Sequence, residues 1–280
     1  MRFSGKGVIV TGSNSGIGKA TALLMAKEGA SVVIHGRDMK TLEQTVEECR
    51  KVGAETAKFP MVQGDFNSDK ILIQRLYDTA MDTFGRIDVL VNNACTAEIC
   101  TFKNVTEEQF DKEINVALKA PLLLSQKCFP ELKKNKGNIV NVSSVAGARP
   151  CSLGIAIYPV SKAALNPFSK CAGLEYGSEG VRVNIVSPGS VPTDFLIKAG
   201  MINTKEEQDE FHKTVSHCTP LKKNVTPEET AKLIAYLASD DASMMNGAEI
   251  IHDGGLTLMG LDTKTIENAA KCASNLLLTA

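Results

Sequence analysis

Thr11-Gly12-Ser13-Asn14-Ser15-Gly16-Ile17-Gly18 stands between an apolar run, Val8-Ile9-Val10, and an amphipathic stretch that begins at Lys19. The pattern predicts a strand, a glycine turn and the start of a helix. Glycine lets so short a turn take positive φ and come close to a bulky ligand, while the free N–H groups of the helix N-terminus point at whatever lies there. An anion suits that place, and a dinucleotide pyrophosphate suits it best. The candidate cofactor-binding residues of the turn are Gly12, Ser13, Asn14, Ser15, Gly16, Ile17 and Gly18. Their spacing is Gly-x3-Gly-x-Gly, not the Gly-x-Gly-x2-Gly of the general dinucleotide fingerprint. Taken alone, the turn also reads as a plain strand-to-helix connection.

Beyond the turn, Ala20 to Lys27 continue a helix that stops at Gly29, and Ala30 to His35 read as a second buried strand, which makes an N-terminal βαβ unit. In such a unit an acid at the end of the second strand hydrogen-bonds the ribose 2′-hydroxyl, whereas an arginine accommodates a 2′-phosphate. Here the chain reads His35-Gly36-Arg37-Asp38. Gly36 removes the carboxylate that would repel a phosphate, and Arg37 offers a planar fork of donors that suits one. Arg37 as a solvated residue offset by Asp38 is the plainer alternative.

A helix is predicted from about Lys40 to Lys51, a third strand from Lys58 to Gly64, and a helix from Asp69 to Phe84 closed by Gly85. Asp65 falls at a strand's carboxyl end, where an adenine edge is read. Ile87 to Val91 is the most continuous buried strand of the first half and ends in Asn92-Asn93-Ala94-Cys95. A long helix follows from the N-cap Thr106 towards Leu132, with Asn115 among apolar neighbours. Gly137 to Val142 then delivers Ser143 and Ser144 to a strand end. Tyr158 and Lys162 are four apart, which on a helix puts both on one face. An ammonium near a phenol favours the phenolate and brings a reference pKa of about 10 towards neutrality, so the tyrosine becomes a usable acid or base.

The charges nearly balance, 31 Lys and Arg against 32 Asp and Glu, which gives no reason to expect a nucleic acid or an anionic membrane as partner. The first strand begins almost at Met1, leaving no room for a signal peptide, and no apolar run approaches the roughly 18 residues of a membrane span. A cytoplasmic protein is expected. The eight cysteines are scattered without CxxC pairs, which suggests reduced thiols and no metal site.

With the turn at Thr11 to Gly18, Asn92-Asn93-Ala94, Asn115, Ser144 and Tyr158-x3-Lys162 in this order, the chain resembles the short-chain dehydrogenases/reductases. The resemblance runs from about residue 5 to residue 258 and takes in Asn184, Pro188 to Thr193 and Asp253-Gly254-Gly255. It implies that Tyr158 is the catalytic acid or base, that Lys162 tunes it and holds the nicotinamide ribose, that Ser144 orients the carbonyl, and that Asn115 positions a water in a proton relay. It further implies cofactor contacts from Asn92, Ala94, Tyr158, Lys162, Pro188, Gly189, Val191 and Thr193, and a homodimer or homotetramer.

Three departures stand out. Cys95 replaces the family's usual glycine after Asn-Asn-Ala; Pro167 lies inside the helix that carries Tyr158, so that either the helix bends or breaks near Ala163 or its neighbours adjust around the proline; and Leu221-Lys222-Lys223-Asn224 lacks the glycine common after Pro-Leu. The expected fold is a single α/β domain over residues 1–258, a doubly wound (Rossmann), mostly parallel sheet of about seven strands with helices on both faces. Residues 259–280 form an extension, helical from Thr263 by the spacing of Ile266, Ala269, Ala270 and Ala273. The expected function is NADP(H)-dependent interconversion of a carbonyl and an alcohol, with NAD(H) as the alternative cofactor. The segment Thr193 to Thr219 reads either as a movable lid with an apolar inner face or as an ordinary surface helix. A dinucleotide-binding regulator and an assembly subunit are the readings from other classes.

Overall fold

The computed structural model describes residues 1–149 and 154–259. The helix expected from Thr263 lies outside the described residues. Seven strands form one sheet in the order β3-β2-β1-β4-β5-β6-β7, and every neighbouring pair is parallel. They are β1 (Gly7–Val10), β2 (Ser31–Gly36), β3 (Met61–Gln63), β4 (Val89–Asn92), β5 (Asn138–Val142), β6 (Arg182–Pro188) and β7 (Glu249–His252).

Alternation within the strands divides the core. Val8, Val10, Val32, Ile34, Val89 and Val91 face one layer, made by α1 (Gly16–Lys27), α2 (Met39–Val52) and, later in the chain, Pro227–Ala238. Ile9, Val33, Leu90 and Ile139 face the other, made by α3 (Leu72–Phe84) and by helices over Ala120–Asn135 and Ile157–Gly177. With both faces covered, the central strands carry continuous apolar runs, Val8-Ile9-Val10, Val32-Val33-Ile34 and Val89-Leu90-Val91, as a parallel sheet favours. The connections reverse direction between β1 and β4, so the carboxyl ends of those strands open the crevice in which such sheets bind ligands.

The third strand is shorter than expected, Met61–Gln63 against Lys58 to Gly64. Pro60 lacks an N–H and can give only its carbonyl, which accepts from Ile34 N at 2.9 Å. The long helix from Thr106 is not uniform: α4 (Glu107–Ile114) passes through a π turn, Asn115–Lys119, into α5 (Ala120–Asn135). Ala120 N–H reaches back five residues to the Asn115 carbonyl, and Pro121, which follows, has no N–H to donate. After α6 (Val145–Ala148), α7 (Ile157–Gly177) continues through Pro167 as one helix of 21 residues. No break falls at Ala163, which is the outcome in which the neighbours of Pro167 adjust around it. The remaining helices are α8 (Phe195–Lys198), α9 (Lys205–Cys218) and α10 (Pro227–Ala238).

Lys222, in the segment that lacks the expected glycine, has a φ of +54°. The backbone there takes the left-handed form that glycine adopts without strain, and Lys222 Nζ donates to the His217 carbonyl at 2.9 Å. Six cysteines are free among the described residues, and no helix there is long and apolar enough to cross a membrane.

Candidate active site

The glycine turn is stitched to the end of β4. Thr11 Oγ1 accepts N–H bonds from Asn93 and Ala94, each at 3.0 Å, while Asn93 Nδ2 donates to the carbonyls of Thr11 at 2.9 Å and Gly12 at 3.2 Å. Gly12 and Gly16 have φ of +64° and +55°. A Cβ on Gly18 would stand 2.3 Å from the Gly12 carbonyl oxygen, so α1 can approach the turn only through glycine. Ser15 is the N-cap of α1 in an extended conformation, and its side chain makes no capping bond. The first-turn N–H groups of α1 are left for an anion, and together with the close backbone approach at Gly18 they fit a dinucleotide pyrophosphate.

Not every residue of the turn faces outward. Ser13 is fully buried, its hydroxyl donating to the Val10 carbonyl at 2.7 Å and accepting His35 N–H at 2.9 Å. It shapes the turn from behind, and Ile17 packs on the core layer of α1. The Asn92 amide is likewise committed inside the sheet, to Asn141 Oδ1 at 2.8 Å and Ser125 Oγ at 3.3 Å. The Asn92 side chain thus gives its N–H groups to the sheet and to α5.

At the adenosine end, Asn14 packs where a side chain on Gly36 would be, since a Cβ there would lie 2.3 Å from Asn14 Cγ. Asn14 Nδ2 also donates to Thr41 Oγ1 at 2.8 Å, so the glycine turn and the end of β2 abut. Arg37 is exposed and reaches Asp65 at 3.5 Å, which joins two of the expected cofactor residues in one ion pair. Asp38 caps α2 by accepting Thr41 N–H at 2.8 Å. Behind the turn, His35 Nδ1 accepts Gly12 N–H at 3.1 Å, and burial pushes this imidazole down to about 4. It is neutral at ordinary pH and fixes one edge of the anion site.

At the reacting end, Tyr158 lies in the first turn of α7 and Lys162 one turn further. Lys162 is 2% exposed, its Nζ donates to the Val142 carbonyl at 2.8 Å, and it lies 5.8 Å from the centroid of the Tyr158 ring. The spacing argument therefore holds in space. Ser144 follows β5 and caps α6, accepting Ala146 N–H at 3.1 Å. Gly147 lets α6 lie against α7, because a Cβ there would stand 2.8 Å from Ala163 N and Lys162 C. Asn115 opens the π turn, which packs against α7.

The buried charge here is shared. Desolvation lowers the Lys162 pKa, opposed by Cys95 and Glu113. Glu113 is buried, accepts Glu98 N–H at 3.1 Å and Ser161 O–H at 3.4 Å, and burial pushes its carboxyl up to about 7.

The segment after β6 crosses this crevice. Gly189 N–H is held by the His252 carbonyl at 2.9 Å, and Thr193 packs on Gly16, whose Cβ would lie 3.1 Å from Thr193 Cγ2. Phe195 places its ring 5.4 Å from that of Tyr158. Pro188 and Val191 lie on the same connection. Of the residues that matter here, the motif reading passed over Asn93 as a ligand of the turn, and it gave no place to His35, Glu113 or Lys198. The pairing of two asparagines at a strand tip was a usable signal for the first; the others depend on partners remote in the chain.

A family model described as enoyl-(acyl carrier protein) reductase matches residues 11–257. An uncharacterised oxidoreductase of Thermotoga maritima is 36% identical over 261 residues, 92% of this chain and 99% of the relative. The 3-oxoacyl-[acyl-carrier-protein] reductase of the same organism is 34% identical, covering 92% of this chain and 100% of its own length. A short-chain dehydrogenase/reductase of unknown function from Caenorhabditis elegans, crystallised with cofactor, superposes with a TM-score of 0.86 at 34% identity, over 93% of this chain and 98% of that one. The chain belongs to the short-chain dehydrogenase/reductase family. It is an oxidoreductase with the seven-stranded Rossmann-type sheet of that family.

Proposed function

We propose that the protein interconverts a carbonyl and an alcohol with NADP(H), Tyr158 serving as acid and base and an apolar or mid-sized compound as substrate. The observation that carries this reading is the buried Lys162 ammonium, held on the Val142 carbonyl beside the Tyr158 ring. A cation fixed there stabilises the phenolate and so the transfer of a proton on the substrate oxygen. Ser144 holds that oxygen from the end of β5, and Asn115, on the π turn, keeps a water in line with Lys162. The nicotinamide, when bound, supplies or accepts the hydride. The turn residues Gly12 to Gly18, with Ala94, Gly189, Val191 and Thr193, hold the dinucleotide, and Asp65 serves its adenine end.

Preference for NADP(H) rests on Gly36 and Arg37; NAD(H) is the alternative, since Arg37 already has Asp65 as partner. The Phe195 ring against Tyr158 supports an apolar inner face for the Thr193 to Thr219 segment. Within this reading residues 1–258 are one domain with 259–280 appended, and the protein works in the cytoplasm as a homodimer or homotetramer. The test is a carbonyl and alcohol screen with both cofactors, followed by Tyr158→Phe. Acid–base catalysis is typically a factor of about 10²–10⁴, so kcat should fall that far while NADPH still binds. More than about a tenth of the wild-type kcat left in Tyr158→Phe would remove the assignment.

A further inference from the structure

Lys198 ends the short helix α8 on the segment that crosses the site, yet its side chain runs back to the glycine turn. Its Nζ donates to Ser15 Oγ at 3.1 Å, across 183 residues of sequence, and stands 3.9 Å from Asp194 Oδ2. It also acts on Asp38, whose carboxyl it helps to hold below the usual range, after the hydrogen bonds from Thr41. Lys198 is therefore anchored at the N-cap of α1, which is next in sequence to Asn14. Asn14 packed on Gly36 brings the glycine turn and the turn Gly36-Arg37-Asp38 together. Arg37 flanks the same turn from the Asp65 side.

The charges there need explaining. Asp38 and Asp65 put two carboxylates at the place where a 2′-phosphate would arrive, and Arg37 and Lys40, the cations of that turn, would have to offset both while binding a dianion. Lys198 brings a further cation from a different part of the chain. It is half-exposed, its one hydrogen bond goes to a neutral hydroxyl and Asp194 stands only at the outer edge of ion-pair distance, so its ammonium keeps donors for an incoming anion. The root of its segment is already seated, with Thr193 on Gly16 and Phe195 on Tyr158.

We infer that Lys198 binds the 2′-phosphate of the dinucleotide, so that the segment lining the substrate site reads which cofactor is bound. This rests on the NADP(H) reading above. One side chain then ties the adenosine end of the crevice to the element that touches Tyr158. A 2′-phosphate draws Lys198 in and holds α8 over the site; a 2′-hydroxyl leaves it on Ser15 and Asp194.

The test uses the full chain and two nucleotide fragments, 2′,5′-ADP and 5′-ADP, which differ in where the second phosphate sits. Isothermal titration of wild type and Lys198→Ala is paired with hydrogen exchange of the amides from Phe195 to Ala199. Wild type should prefer 2′,5′-ADP, and Lys198→Ala should lose about tenfold in affinity for it with 5′-ADP almost unchanged, as for one charge-assisted hydrogen bond. Protection of Phe195 to Ala199 by 2′,5′-ADP should disappear in Lys198→Ala and persist in Lys198→Arg. Equal losses for both fragments would move Lys198 to the pyrophosphate and overturn the assignment. A wild-type preference unaltered in Lys198→Ala would overturn it while leaving Arg37 and the NADP(H) reading in place. No preference in wild type would remove that reading, and the inference with it.

Discussion

His35 makes the fold sensitive to acid in a window that can be calculated. Its imidazole, buried with Nδ1 accepting Gly12 N–H, takes up a proton only near pH 4, against an ordinary value of 6.5. The folded value is the lower one, so the unfolded chain is protonated first as pH falls. The contribution is complete above pH 6.5 and is lost as pH falls towards 4. Between pH 7.5 and 5.0 the two values give a loss of about 2 kcal/mol, rising to about 3 kcal/mol below pH 4. His35→Asn keeps an oxygen for the Gly12 N–H and removes the titration. Urea unfolding at pH 7.5 and 5.0 should therefore show wild type losing about 2 kcal/mol more than the variant over that interval. Proton NMR should find one imidazole titrating near 4 that is missing from the variant. A protonated ring would turn an N–H towards the Gly12 N–H, so affinity for a dinucleotide should weaken in the same window. Equal pH dependence in the two proteins, or a His35 that titrates above pH 6, would refute the reasoning.

Glu113, raised to about 7, behaves in the opposite sense: its contribution is complete below the ordinary carboxyl value and lost as pH rises through 7. Glu113→Gln should gain about 2–3 kcal/mol over wild type between pH 5 and pH 8, read by denaturant unfolding at both. Gly18→Ala forces a methyl against the Gly12 carbonyl and should cost about 1–3 kcal/mol with a matching loss of dinucleotide affinity, measured by thermal shift and titration. Lys222→Gly relieves a left-handed backbone and should gain about 0.5 kcal/mol in the same unfolding assay, less whatever the bond to His217 contributes.

The parallel sheet was legible because buried strands leave long apolar runs, and the glycine turn because its chemistry is local. Tyr158 and Lys162 were legible for the same reason: one helical turn separates them. The failures are equally physical. Pro60 trimmed β3 and Pro121 marks the π turn, both through a missing N–H in a stretch whose periodicity was otherwise sound. Pro167 also lacks an N–H, yet α7 continues through it, and which of its two expected outcomes applied was for the surrounding packing to decide. The cofactor contact of Asn92 came from the family resemblance; that its amide donates to Asn141 of β5 and Ser125 of α5 is visible only in the fold. His35, Glu113 and Lys198 take their meaning from groups brought close only by folding, which no spacing reveals.

The strand order sets a timetable for synthesis. β1 lies between β2 and β4, with Val8 paired to Val32 on one side and to Val89 on the other. A chain leaving the ribosome completes the first pairing early, and β1 then keeps an apolar edge unpaired until the residues of β4 emerge. The glycine turn cannot be finished sooner either, because Thr11 waits for the amides of Asn93 and Ala94. Long-range parallel pairing of this kind slows folding and leaves an edge open to other chains meanwhile. Newly made N-terminal fragments that stop short of β4 are accordingly the species for chaperones to shield, and the dinucleotide can begin to stabilise the fold only once that strand is in place.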